Sequence, residues 1–200
     1  MADTKISALP ASTTPLAGTE VLPIVQSSAT KQVSVANLTA GRVISANGVA
    51  FPATASTSAD PNTLDDYEEG EWTVALTAAT SGTITLLSTN NTGSYTKIGN
   101  KVLAQALVQV DSVSSPTGLL QISLPFSNGA GTEGSAYAHG TIAYFNVNLP
   151  LLTIDVSAEI VPSASVAYVK CSFDNAAWDR LDGSAVAAGS YLAFSIAYTV

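Results

Sequence analysis

From Lys101 the chain alternates, sending Val102, Ala104, Ala106, Val108 and Val110 to one side of an extended strand and Lys101, Leu103, Gln105, Leu107 and Gln109 to the other. The first side is wholly apolar and marks a core. The second sets two leucines between an amine and two amides, which suits water, a second sheet or another copy of the chain. Just ahead, Ile98-Gly99-Asn100-Lys101 offers Gly and Asn where a tight hairpin needs positive φ. The same period returns near the C-terminal end, with Leu192, Phe194, Ile196, Tyr198 and Val200 on one face and Tyr191, Ala193, Ser195, Ala197 and Thr199 on the other.

Between these two strands and before them, residues 71–76, 82–86, 119–124, 136–149, 152–156 and 165–173 read as further short strands separated by Gly, Pro and Ser turns. The loop 127–134, with three glycines and little apolar anchorage, should be exposed. No segment carries a convincing helical period. The pattern predicts an all-β protein whose C-terminal part, 71–200, is a jelly-roll-like β-sandwich. Several strands have few charges on either face, so the surplus apolar surface predicts that subunits pack together.

Residues 1–42 behave differently. Pro10, Pro15 and Pro23 rule out a long helix. Val21 to Val25 and Lys31 to Val35 read as two short strands joined by a Ser-rich turn, with one helical turn beginning at Val35-Ala36-Asn37-Leu38. Such a segment is too small to bury a core alone and should fold against a partner or another copy of itself. Residues 43–70 read as a linker ending in an acidic block, Asp60, Asp65, Asp66, Glu68, Glu69 and Glu71. The block lacks the ligand spacing and loop glycine of a calcium site, and reads as a solvated approach to the next domain.

Composition narrows the function classes. The chain is 46% hydrophobic but only 11% charged, against roughly 25% charged in ordinary soluble domains. That neutral, hydroxyl-rich surface suits an assembled structural protein. A net charge of −8 and a pI near 4.3 argue against nucleic acid or an anionic membrane as partner, because either needs clustered Lys and Arg. No run reaches the roughly 20 apolar residues of a membrane span, and the first residues lack the pattern of a signal peptide. Cys171 is the one cysteine, which excludes an intrachain disulfide and a cysteine metal cluster, and its alternation with Val169 and Phe173 makes it a small buried hydrophobe.

Enzymatic chemistry finds little to work with. His139 is the single histidine and sits in Tyr137-Ala138-His139-Gly140 with no G-x-S-x-G elbow. The carboxylate pairs Asp155 with Glu159 and Asp174 with Asp179 read as turn and surface residues more than as a glycosidase couple. No catalytic, cofactor or metal residue is assigned. The stretch 174–183 reads as a loop, in which Asp174, Asn175, Trp178 and Asp179 are candidates to hold a glycan, the indole stacking on a sugar ring and the acids and amide meeting its hydroxyls. The alternative is that Trp178 packs across a loop or subunit boundary while the acids cap turns.

Two stretches resemble a known group. ISALPASTTPLAGTEVLPIVQSSATKQVSVANLTAGR, residues 6–42, resembles a segment at the start of accessory virion proteins of tailed bacteriophages, including fibres and head decorations. DDYEEGEWTVAL, GSYTKIGNKV and LQISLPFS are similar to the β-rich C-terminal domains of such proteins. The resemblance implies a homotrimer located in the virion, whose N-terminal arm attaches to the major capsid protein or another virion protein through Leu9, Pro10, Leu16, Val21, Leu22, Pro23, Ile24, Val25, Val33, Val35 and Leu38. Between arm and head domain there is no collagen-like, heptad or β-helical shaft. A decoration or cement protein or a short head spike is therefore expected, and a receptor-binding tail fibre or tailspike component recognising host surface polysaccharide is the alternative.

Overall fold

The computed structural model describes residues 21–26, 29–34, 43–45, 48–51, 64, 66–131 and 137–200, divided between two compact units, 1–55 and 56–200. The first unit holds two antiparallel hairpins. β1 (Val21–Gln26) pairs with β2 (Ala29–Ser34) from Val21↔Ser34 to Gln26↔Ala29, across the expected turn. β3 (Val43–Ser45) pairs with β4 (Gly48–Ala50) inside the stretch expected to be a linker without strands. Of the arm residues named above, Val21, Leu22, Pro23, Ile24 and Val25 lie on β1 and Val33 on β2. Leu9, Pro10, Leu16, Val35 and Leu38, and the helical turn expected at 35–38, lie outside the described residues.

The second unit is built from β5 (Tyr67–Thr73), β6 (Leu76–Ala78), β7 (Ser81–Leu86), β8 (Thr92–Ile98), β9 (Lys101–Thr117), β10 (Leu120–Ser123), β11 (Ala138–Val147), β12 (Thr153–Ile160), β13 (Val166–Phe173), β14 (Ala176–Arg180) and β15 (Val186–Thr199). They form one antiparallel sheet in the order β5-β8-β9-β15-β11-β12-β13-β10-β6, with β14 added to β13 and β7 to the far half of β9. β5 and β6 end this path, yet only Val74 and Ala75 separate them in the chain. The sheet therefore curls round until one extended run supplies both of its margins. At the crossing, the Ala75 N–H donates to Ser123 Oγ and the Ser123 N–H to the Ala75 carbonyl, each at 2.9 Å, while the Trp72 indole N–H donates to the Ser123 carbonyl at 3.3 Å. Curling lets one sheet enclose one core, although β5 and β6 remain the ends of its path.

The core follows the two-residue period. Val102, Ala104, Val108 and Val110 of β9 and Leu192, Phe194, Ile196 and Tyr198 of β15 point inward and are buried, with Leu120, Ile122, Ala158, Ile160, Val169 and Cys171 from the other side. Phe194 and Tyr95 both pack against Trp72, at ring centroid distances of 6.3 and 6.4 Å, and Phe126 meets Tyr95 edge-on at 5.0 Å. The Tyr198 hydroxyl donates to the Phe126 carbonyl at 2.9 Å and accepts from the Phe126 N–H at 3.2 Å, so a buried phenol is fully satisfied. No α-helix occurs among the described residues; Gly183–Ala185 is a single 3-10 turn.

Local differences from the sequence reading have local causes. The 98–101 hairpin needs positive φ at Gly99 alone, +57°, and Asn100 does not share it. The acidic block is no linker at its C-terminal end, because Glu68, Glu69 and Glu71 lie on β5 and pair with Lys97, Thr96 and Ser94 of β8. The loop after β10 is not wholly exposed: Asn128 is buried, its N–H donating to the Ala164 carbonyl at 2.8 Å and its amide to the Val161 carbonyl at 3.0 Å. Stretch 174–183, expected as a loop, is a β13–β14 hairpin turning at Asp174-Asn175, with Asn175 at φ +54°.

Candidate functional site

Among the described residues nothing covers the outward side of β9 at Leu103 and Leu107. Leu103 and Leu107 are each 50% exposed. Register sets their neighbours: Leu107 lies opposite Ala193, which lies opposite Ala143, and Leu103 lies opposite Ala197. One row along, Tyr191 faces Phe145, their rings 6.3 Å apart between centroids. Across β9, β15 and β11, residues 102–110, 190–199 and 140–147 contain no charged side chain. The face mixes leucine, alanine and aromatic side chains with the uncharged Gln105, Gln109, Ser195 and Thr141, and freedom from charge is a mark of interface cores.

Toward β5 the face becomes polar and concave. Ser94, Gln105, Leu107 and Ser195 line an open groove, and Glu69, Thr96 and Leu103 continue it toward the sheet margin. Along the groove β8 carries the short hydroxyl side chains Thr92, Ser94 and Thr96 outward, between the longer side chains of β5 and β9. Leu103, Leu107 and Phe194 are among its apolar lining, and its polar lining is neutral apart from Glu69 and Glu71 at one margin.

A second cluster occupies the outer side of β13 and β14. Arg180 donates from Nε and Nη2 to one oxygen of Glu159, at 2.8 and 2.7 Å, and its guanidinium lies 4.2 Å from the Tyr168 ring centroid. Lys170 Nζ stands 4.5 Å from the centroid of Trp178, which is half-exposed. Burial of Glu159 on an outward position follows from this cover, since a buried carboxylate requires a paired, hydrogen-bonded cation.

The glycan candidates fall into this region but not onto one wall. Asp174 and Asn175 form the hairpin turn, while Trp178 and Asp179 are consecutive on β14 and project to opposite sides. Asp182, from the same stretch, ties the fold together: its carboxylate accepts from the Gly118 N–H at 2.9 Å and the Ser184 N–H at 2.8 Å, and the Ser184 side chain first, then these backbone bonds, hold it below the usual carboxylate range. The carboxylate pairs also part. Glu159 is buried against Arg180 while Asp155 is exposed, and Asp174 and Asp179 sit at a turn and on a strand. His139 is exposed on β11, opposite Glu159 in register. Cys171 is buried, and burial pushes its thiol up. Among the described residues no group of three or more His, Cys, Asp or Glu could hold a metal ion, and no helix is long and apolar enough to cross a membrane.

One feature was missed in the sequence. The β11–β12 turn exposes Leu151 and Leu152 almost completely, with Ile154 beside them. The signal is present in Leu149-Pro150-Leu151-Leu152, where the proline stops one strand before the apolar run ends, although the strand ranges 136–149 and 152–156 divide that run between two strands.

Comparison with known proteins locates the architecture. No family model matches the chain, and no curated protein is similar to it in sequence. Among solved structures, the crystal structure of the Dettilon tailspike protein is similar, with a TM-score of 0.53 and 24% sequence identity. The likeness covers 66% of this chain but only 24% of that one, so the shared part is a minor portion of the larger protein. At that identity it is a likeness of fold: an all-β, curled antiparallel sheet of sandwich type.

Proposed function

We propose that this chain is a non-enzymatic structural protein of a tailed-phage virion that assembles as a homotrimer. The observation that carries the reading is the uncharged outer face of β9, β15 and β11, on which Leu103, Leu107 and Phe145 are exposed, on a unit whose fold is similar to part of a phage tailspike. An exposed sheet of that composition costs solubility in a lone subunit and stabilises an assembled one. The N-terminal arm, residues 1–42, is the attachment element, and three weak arms on one trimer gain through avidity what each lacks.

Within the virion, the reading places the protein on the head, as a decoration, cement protein or short spike bound to the major capsid protein. The likeness to a tailspike favours a second placement, a tail appendage that meets host surface polysaccharide, with the β13–β14 hairpin and Trp178 among its outward features. Cosedimentation separates them. Labelled full-length protein offered to undecorated heads should bind saturably, and a chain lacking residues 1–42 should not. Binding to host cells and not to heads would overturn the head placement in favour of the tail; binding to neither would overturn both.

A further inference from the structure

A lysine stands on the inward side of the sheet near its β5 margin. Lys97 of β8 lies opposite Glu68 of β5 and Val102 of β9, and Val102 lies opposite Tyr198 of β15, so the four share one row on the face that bears the core. The Lys97 amino group is 5.9 Å from the centroid of the Phe126 ring, which meets Tyr95 edge-on, and it pairs with the carboxyl group of Asp66. Only 14% of the Lys97 side chain and 19% of the Asp66 side chain are exposed, so water has limited access to either.

Asp66 is held by its backbone as well as by this pairing. Its carbonyl accepts from the Gly99 N–H at 2.8 Å, one residue before β5 begins its ladder at Tyr67↔Ile98. Strand β5 and the β8–β9 turn therefore present the carboxyl to the amine without a search, which is how a protein makes a slow bimolecular reaction an intramolecular one. A third group completes the set. Glu68, directly opposite Lys97, has its carboxylate held by the Tyr95 hydroxyl.

We infer that Lys97 and Asp66 condense into an intramolecular isopeptide bond. Proton transfer within the pair gives a neutral amine beside a carboxylic acid, and Lys97 Nζ then attacks Asp66 Cγ. The N–C bond forms, a C–O bond breaks, and the hydroxyl departs as water with a proton from the nitrogen. Glu68 carries that proton from nitrogen to oxygen, as a general base that then acts as an acid. One cation and one anion disappear together, so atoms and charge balance without a further reactant.

The location gives the bond a use. β5 ends the strand path, and the chain from the first unit enters it through Asp66. Tension along that chain would open the β5–β8 pairs one at a time, starting at Tyr67↔Ile98. A covalent link from Asp66 to Lys97 keeps the first pair closed and passes the load to β8, which is bonded on both sides.

Mass spectrometry of the denatured full-length protein tests the inference, with variants compared against wild type so that any processing of the chain ends cancels. Wild type should be lighter by one water than its sequence requires, relative to Lys97→Arg and Asp66→Ala, which should carry no such loss. Proteolysis of wild type should release one branched peptide joining the segments around Asp66 and Lys97. Glu68→Gln should form the bond roughly a hundredfold more slowly, while its circular dichroism matches that of wild type. Folded wild type without the water loss would overturn the inference, and so would a loss that persists in Lys97→Arg. Bond formation at the wild-type rate in Glu68→Gln would overturn the role given to Glu68.

Discussion

The indole of Trp72 lies directly over Gly93, its cross-strand partner, so close that a Cβ at position 93 would come within 2.4 Å of two ring carbons. Two residues away the relationship is reversed, with the ring of Tyr95 over Gly70. Trp72 cannot swing aside, because Tyr95 and Phe194 flank it. Gly93→Ala is therefore expected to destabilise the second unit by about 1–3 kcal/mol through overpacking. Gly70→Ala should cost less, since its nearest contact is the hydroxyl end of Tyr95. Urea melts of the two variants check the order, and equal effects would defeat it.

Arg180 and Glu159 are 21 residues apart and form a largely buried pair. Arg180→Ala leaves a buried carboxylate without its cation and uncovers Tyr168, with an expected loss of about 3 kcal/mol. Glu159→Leu combined with Arg180→Leu should recover most of that, because neither charge is then left alone. Chemical denaturation of the single and double variants decides the matter. A double variant no better than Arg180→Ala would show that packing, not charge, was lost.

Tyr198 sets an alkaline limit. Burial pushes its hydroxyl up to about 12, against a weaker opposing effect from the Phe126 hydrogen bond. Folded protein thus holds this proton more tightly than unfolded chain, so the contribution is complete below pH about 10 and is lost as pH rises toward 12. Tyr95, raised by its hydrogen bond to Glu68, acts in the same direction. Stability should be flat near neutrality and fall above pH 10, and Tyr198→Phe should fall less steeply while starting lower by about 1 kcal/mol. Melts at pH 8, 10 and 11 measure both.

The second unit should fold without the first if it is cut in the right place. A chain of residues 56–200 keeps all of β5, whereas one beginning at Trp72 loses the pairs from Tyr67↔Ile98 to Glu71↔Ser94. The longer chain is expected to melt cooperatively and the shorter one at a clearly lower temperature or not cooperatively at all. Circular dichroism with thermal melting compares them, and equal melting would show β5 to be dispensable.

Much of this could be read from the chain alone. Strict alternation in 101–110 and 190–200 dictates which side chains face inward, because successive residues of any strand point to opposite sides. The all-β architecture, both hairpins at 21–34 and 98–101, and the burial of Cys171 follow from that period and from Gly, Pro and Ser punctuation. What alternation leaves open is what each face meets. Only tertiary pairing brings Val74 and Ala75 to the junction of the two sheet margins, Asp182 to the backbone of Gly118, and Arg180 to Glu159. These are contacts between distant segments, set by strand order and register, and no local propensity encodes them. Strand order likewise aligns Leu103, Leu107, Ala193, Ala143 and Phe145 on one outward, uncharged face, and a single positive φ at Leu152 turns a run of apolar residues outward at the β11–β12 turn.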